Sequence, residues 1–235
     1  MEFHFIKTVK ESHKVRGYFV LKVRKLNVIA FMYSLNTVHR FLAAPILIFV
    51  ALHLLNHIVS IIGVDSHIAY MEAFRILYRN PIVEIALFLS LFSQICIGLY
   101  FVFRSRRKRR GFFQHAQAFS GLYIVFFVLA HVTAVLLGRY KLGLDTNFYF
   151  AAAGMHAGQI KLFFVPYYFL SVVAVFTHVA CFLHARMSQS NTIGMANKLA
   201  ILLITLGILT GALIVASLGG VFYDFNVPNE YLDML

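Results

Sequence analysis

Five of the eleven histidines in this chain, His53, His57, His131, His178 and His184, fall inside long apolar stretches. Ionisable side chains are costly in such surroundings, and those found within a membrane face the protein interior and serve a purpose there. Neutral imidazole is the usual axial ligand of haem iron in a helix bundle, and two imidazoles from facing helices clamp the macrocycle between them. The alternative for a single histidine is a polar group satisfied by a neighbouring hydroxyl or carbonyl. That explanation weakens when two histidines match in depth on parallel helices, so the elements that carry them decide the matter.

The chain is 60% apolar and 13% charged, with a mean hydropathy of +0.79, which places it in the membrane class. A membrane-crossing helix needs about 20 mostly apolar residues, and five segments qualify: 40–62, 82–103, 116–137, 163–185 and 198–222. The expected fold is therefore all-α, a five-helix transmembrane bundle over 37–222. It follows a basic N-terminal arm, 1–36, and precedes an acidic tail, 223–235. Pro81 suits a helix start, while Pro45 and Pro166 lie in first turns, where proline is tolerated or bends the axis. The connections 63–81 and 138–162 are long enough for short interfacial helices, and Ile68 to Leu77 has apolar residues at helical spacing. The tail reads as an extended segment lying on a neighbour. No repeated half or broken helix pair suggests a transporter.

Charge orients the bundle. Sixteen Lys and Arg lie on one side, in 1–40, in Arg104 to Arg110 and at Arg186 and Lys198, against five on the other. The positive-inside rule then puts the N-terminus inside and the C-terminus outside. The basic runs border apolar segments, so the net charge of +12 suits anionic lipid and argues against nucleic acid. Cys96 and Cys181 are the only cysteines, too few for an iron–sulfur cluster with a full cysteine set, and no CxxCH attaches a c-type haem. Lys22, Arg24 and Lys25 interrupt the N-terminal stretch, which is not a signal peptide and reads as an arm on the cytoplasmic or matrix side.

The first and third segments run the same way, and His53 and His131 lie about 13 and 15 residues from their starts, at similar depths by the 1.5 Å helical rise. They form one complete pair at an outer level, with His57, one turn on, as the substitute for His53. His178 lies nearer the inside on an antiparallel segment, and the residue level with it on the second segment is Gln94. The outer haem site is thus complete and the inner one half complete. His39 and His184 lie near the inner interface, where solvated or lipid-facing roles fit. His4, His13, His67, His115 and His156 lie outside the core and receive no role.

These residues resemble the cytochrome b subunit of succinate dehydrogenases and fumarate reductases, of the single-chain, five-helix, two-haem kind. The resemblance covers roughly 36–187. It rests on His39-Arg40 through Pro45 to HLLNH (His53 to His57), on QAFSGLYIVFFVLAH (Gln117 to His131) with Ser120 and Gly121, and on FLSVVAVFTH ending at His178. It implies an outer haem b on His53 and His131, with Ser120 in the binding run, and an inner haem on the second and fourth helices through His178. Gln94, four residues before Gly98, stands where the family has its remaining histidine. Glutamine is a poor iron ligand, so the inner haem is missing, bound through His178 alone, or completed by another residue. Ala118 replaces an arginine expected to meet a propionate.

The resemblance implies an anchor that docks a flavoprotein subunit and an iron–sulfur subunit on its inner side and exchanges electrons with membrane quinone. Dicarboxylate chemistry would belong to those partners, in a bacterial or mitochondrial inner membrane. Candidates for the quinone site are Glu84 near the outer edge, and Ser34, His39 and Arg40 near the inner one. Two rival readings stand beside it: a haem-free anchor of the same kind of complex, and the cytochrome b of another quinone-linked dehydrogenase. Against the latter, the second and fifth segments carry no histidine.

Overall fold

The computed structural model describes residues 2–107, 109–190 and 192–235, with side chains from Ala30 onward. Among the described residues eight α-helices follow one another: α1 (Glu2–Val59), α2 (Val64–Tyr78), α3 (Pro81–Ser105), α4 (Phe112–Tyr140), α5 (Phe148–His156), α6 (Lys161–Met187), α7 (Ile193–Leu218) and α8 (Asn229–Leu232). Among the described residues there is no strand. Five helical stretches are long and apolar enough to cross a membrane: Ala30–Val59, Pro81–Ser105, Phe112–Tyr140, Gly158–Ser190 and Ile193–Leu218.

Most of the expected N-terminal arm, up to residue 29, lies outside the described side chains; its remainder, 30–36, continues α1. Among the described side chains the helix runs unbroken from Ala30 through the expected start at 40. Ser34, Asn36 and Thr37 lower the local hydropathy, but no Gly or Pro interrupts residues 30–44. Asn36 and Thr37 return their polar groups to backbone carbonyls one turn back, at 3.0 and 3.1 Å, so they do not interrupt it. Pro81 opens α3, and the Asn80 side chain accepts the Ile82 N–H at 3.0 Å, a start signal that uses proline's missing donor. The last span ends at Leu218, four residues early, because Gly219 and Gly220 follow and Gly220 turns with φ of 77°, a conformation suited to glycine.

Both long connections carry helices, α2 and α5. The tail differs from its expected place on a neighbour: it folds back onto its own chain. Phe225 packs on Phe148 and His156 at 4.9 Å between ring centres in each case, and Tyr231 is buried beside Tyr149. Tyr223 donates its hydroxyl proton to the Ser60 carbonyl at 2.5 Å.

The spans form two layers. In one, α1 packs antiparallel on α3, with Phe31 near Tyr100 and His39 near Phe101. In the other, α6 lies between α4 and α7. Small residues let α7 approach closely: Gly207 lies under Phe176 and Gly211 under Phe169 and Val172, the small-xxx-small spacing that drives helix association in lipid. Between the layers the described Cα atoms of α1 stay more than 8 Å from those of α4 and α6. At the α2 end the layers are tied by Ser60 to Ser217 at 2.7 Å and by Glu84 to Arg139 at 2.5 Å. No residue of α3 is buried within the protein, and Phe88, Leu89 and Phe92 face outward. Such surface suits hydrocarbon, where helices satisfy their own backbone.

A β-carbon at Gly207 would meet Phe176 Cβ at 2.5 Å, whereas one at Gly194 would meet nothing within 4 Å. Gly207→Leu is expected to cost about 1–3 kcal/mol through overpacking, with Gly194→Leu close to neutral, measured by thermal denaturation in detergent.

Candidate functional site

Two parallel helices, α1 and α4, carry the same local unit: a phenylalanine followed one turn later by a histidine. Phe49 stacks on His53 with ring centres 5.7 Å apart, and Phe127 stacks on His131 at 5.1 Å, each with an interplanar angle of 12°. Residues four apart share a helix face, so each phenylalanine fixes its histidine ring and aims it across the gap between layers. The structure brings the two imidazoles together with ring centres 6.1 Å apart and planes inclined by 60°.

That spacing suits a shared metal. Two axial bonds of about 2 Å each, plus the ring radii, put collinear ligand imidazoles about 6 Å apart. Among the described residues no group of three or more His, Cys, Asp or Glu is placed to hold a bare metal ion. Two facing imidazoles fit a metal that brings its own equatorial donors, as haem iron does. Beside His53 a cavity of about 200 Å³ opens between α1, α2 and α3, walled by Phe49, Leu52, Phe74, Val83 and Leu87. It covers only part of the area of a macrocycle.

The histidine group extends outward. His57 lies 4.8 Å from His53 and 5.3 Å from His67 between ring centres. His67, given no role from sequence, is 2% exposed because α2 folds back over the end of α1. Its Nε2 pairs with the Asn56 amide nitrogen at 3.0 Å. Burial, with the charges of His53 and Arg75, pushes the His67 imidazole down to about 4, so it is neutral at pH 7. Asn56 Oδ1, His57 Nδ1 and His67 Nδ1 are buried without a hydrogen-bond partner among the described residues. Arg75 pairs with Glu72 on its own helix and ties α2 to Asp145, at 2.6 Å each. The HLLNH spacing, which puts His53, Asn56 and His57 within one turn, was the available signal for this cluster. His67 had none, since its position depends on the reversal after Ser60.

At the other level, His178 on α6 lies against α4. Its Nδ1 donates to the Gln117 carbonyl at 3.1 Å, with Ser120 Oγ at 3.4 Å, and its ring covers Gly121, where a β-carbon would come within 3.1 Å. A carbonyl on Nδ1 leaves Nε2 as the lone pair, the orientation that metal-ligating histidines use. Gln94 does not meet His178. Its amide nitrogen donates to the backbone carbonyl of His39 at 2.6 Å, binding α3 to α1.

The remaining candidates are placed less suggestively. Glu84 pairs with Arg139, both side chains about one-fifth exposed. Ser34 and Arg40 are exposed, and Arg40 bonds the Asn36 carbonyl at 3.2 Å. His184, expected to be solvated or lipid-facing, instead stacks on Phe113 at 3.6 Å and bonds Asn197 at 2.9 Å, where α4, α6 and α7 converge. No family model, curated protein or solved structure matches this chain.

Removing one partner of a half-buried ion pair leaves the other charge unpaired. Glu84→Gln and Arg139→Gln are each expected to lower stability by about 1–3 kcal/mol, and the double variant by less than their sum, as a double-mutant cycle of detergent melts would show.

Proposed function

We propose that this chain is the membrane-anchor cytochrome b subunit of a respiratory complex of the succinate:quinone oxidoreductase type. It would pass electrons between an iron–sulfur subunit and membrane quinone. The observation that carries the reading is the His53 and His131 pair, 6.1 Å apart across the gap between layers. The resemblance of the histidine segments to that family supports it independently of the geometry.

In this reading His53 and His131 hold a haem b by its iron, Phe49 and Phe127 set the ring planes, and the apolar wall of α1 to α3 excludes water. Haem supplies one-electron exchange when bound, and the protein tunes it by ligation, burial and hydrogen bonding. The chain's orientation follows from its sixteen-to-five distribution of basic residues, with the N-terminus inside and the C-terminus outside. The exposed basic turn between α3 and α4, including Arg104, Arg106, Arg107 and Arg110, then lies on the side where the flavoprotein and iron–sulfur partners dock. Quinone would enter at a bilayer edge. Ser34 and Arg40 are the exposed polar groups available at the inner edge, while Glu84 is engaged by Arg139.

A haem-free anchor is the second reading. It is favoured by the hydrogen bond that already occupies Gln94.

His131→Ala separates the two readings. Loss of the outer haem from the reduced-minus-oxidised spectrum of the purified chain is expected, with assembly of the partner subunits retained. An unchanged haem spectrum would remove His131 as a ligand.

A further inference from the structure

The inner level has a second imidazole that the sequence pattern did not supply. We propose that His39, on α1, faces His178 as the other axial ligand of an inner haem, with Gln94 as the residue that positions it; this rests on the cytochrome b reading above.

Depth comes first. His39 lies fourteen residues before His53 on α1, about 21 Å along the axis at 1.5 Å per residue. His178 lies against Gln117, Ser120 and Gly121 of α4, ten to fourteen residues before His131, about 15–21 Å along a parallel helix. Since the rings of His53 and His131 meet, His39 and His178 share a level. They belong to opposite layers, α1 and α6, whose described Cα atoms stay more than 8 Å apart.

Both rings are seated in the same way. Each covers a glycine on the neighbouring helix: His178 covers Gly121, and His39 Cε1 lies 3.8 Å from where a Gly98 β-carbon would stand. Phe101 packs edge-on against His39 at 5.7 Å. The polar atoms around His39 are unfinished. His39 Nδ1 and Gln94 Oε1 are both buried without a hydrogen-bond partner among the described residues, although the Gln94 amide already touches the His39 carbonyl. Burying polar groups unsatisfied is unfavourable. One is a donor when its ring carries the proton on Nδ1, and the other is an acceptor. A hydrogen bond between them would satisfy both and leave His39 Nε2 as the free lone pair, matching what the Gln117 carbonyl does for His178. Glutamine at 94 thus replaces an iron ligand with a support for one supplied from the adjacent helix.

The test is haem per full-length chain, by pyridine haemochromogen, together with the low-spin ferric signals in electron paramagnetic resonance. Wild type is expected to carry two haems. His39→Ala and His178→Ala should each lose the same one, leaving the outer haem as an internal control for folding. His39→Ala with Gln94→His should recover a second low-spin haem, because 94 stands level with His178. Gln94→Leu should keep two haems and shift the potential of the inner one. If His39→Ala retains two haems, or if wild type carries one that this substitution leaves unchanged, the His39 assignment fails and the anchor reading stands. A wild type with no haem overturns both.

Discussion

In hydrocarbon a polar side chain has no water to fall back on, so each buried imidazole must find its partner inside the protein. That constraint organises this bundle. Every histidine described within the spans is placed at a contact between elements. His53 faces His131, His57 stands between His53 and His67, His39 lies on α3, His178 on α4, and His184 meets Phe113 and Asn197. The outward faces are left to Phe, Leu and Ile. The two-layer arrangement follows, because α1 and α4 are separated by the rings they share and not by direct backbone contact.

The layers differ in how they are held. The α6 and α7 pair is joined by close packing over Gly207 and Gly211, and α5 with the tail seals its end around Phe148. The α1 and α3 layer is joined to the rest near its ends, by Leu54 and Ile58 packed on the Phe148 cluster and by the polar bonds Ser60 with Ser217 and Glu84 with Arg139. On the proposed reading, a planar group held between His53 and His131 would complete the interface between the layers. Gly98 and Gly121 carry no side chain into that gap, and the rings of His39 and His178 occupy the space.

Much of this was legible in the sequence because membrane helices are set by local rules. Length, hydropathy and the rise per residue place five spans and bring His53 level with His131 without any tertiary information. What escaped was non-local. His67 reaches His57 only because the chain reverses after Ser60. His39 reads as interfacial when the first span is begun at 40, whereas α1 is continuous on both sides of it, through Ser34 and Thr37. Gln94 was matched by level to His178, yet its side chain reaches α1, since a residue's depth does not determine which neighbour it faces. The tail folded back because Phe225 and Tyr231 find aromatic partners on α5, a pairing that no spacing rule predicts.

The most direct test of the account is the haem content and spectrum of the wild-type chain purified in detergent. The account predicts b-type haem bound with a low-spin, bis-imidazole signature. A well-folded, monodisperse chain that carries no haem, and takes up none when hemin is supplied during assembly, would contradict it.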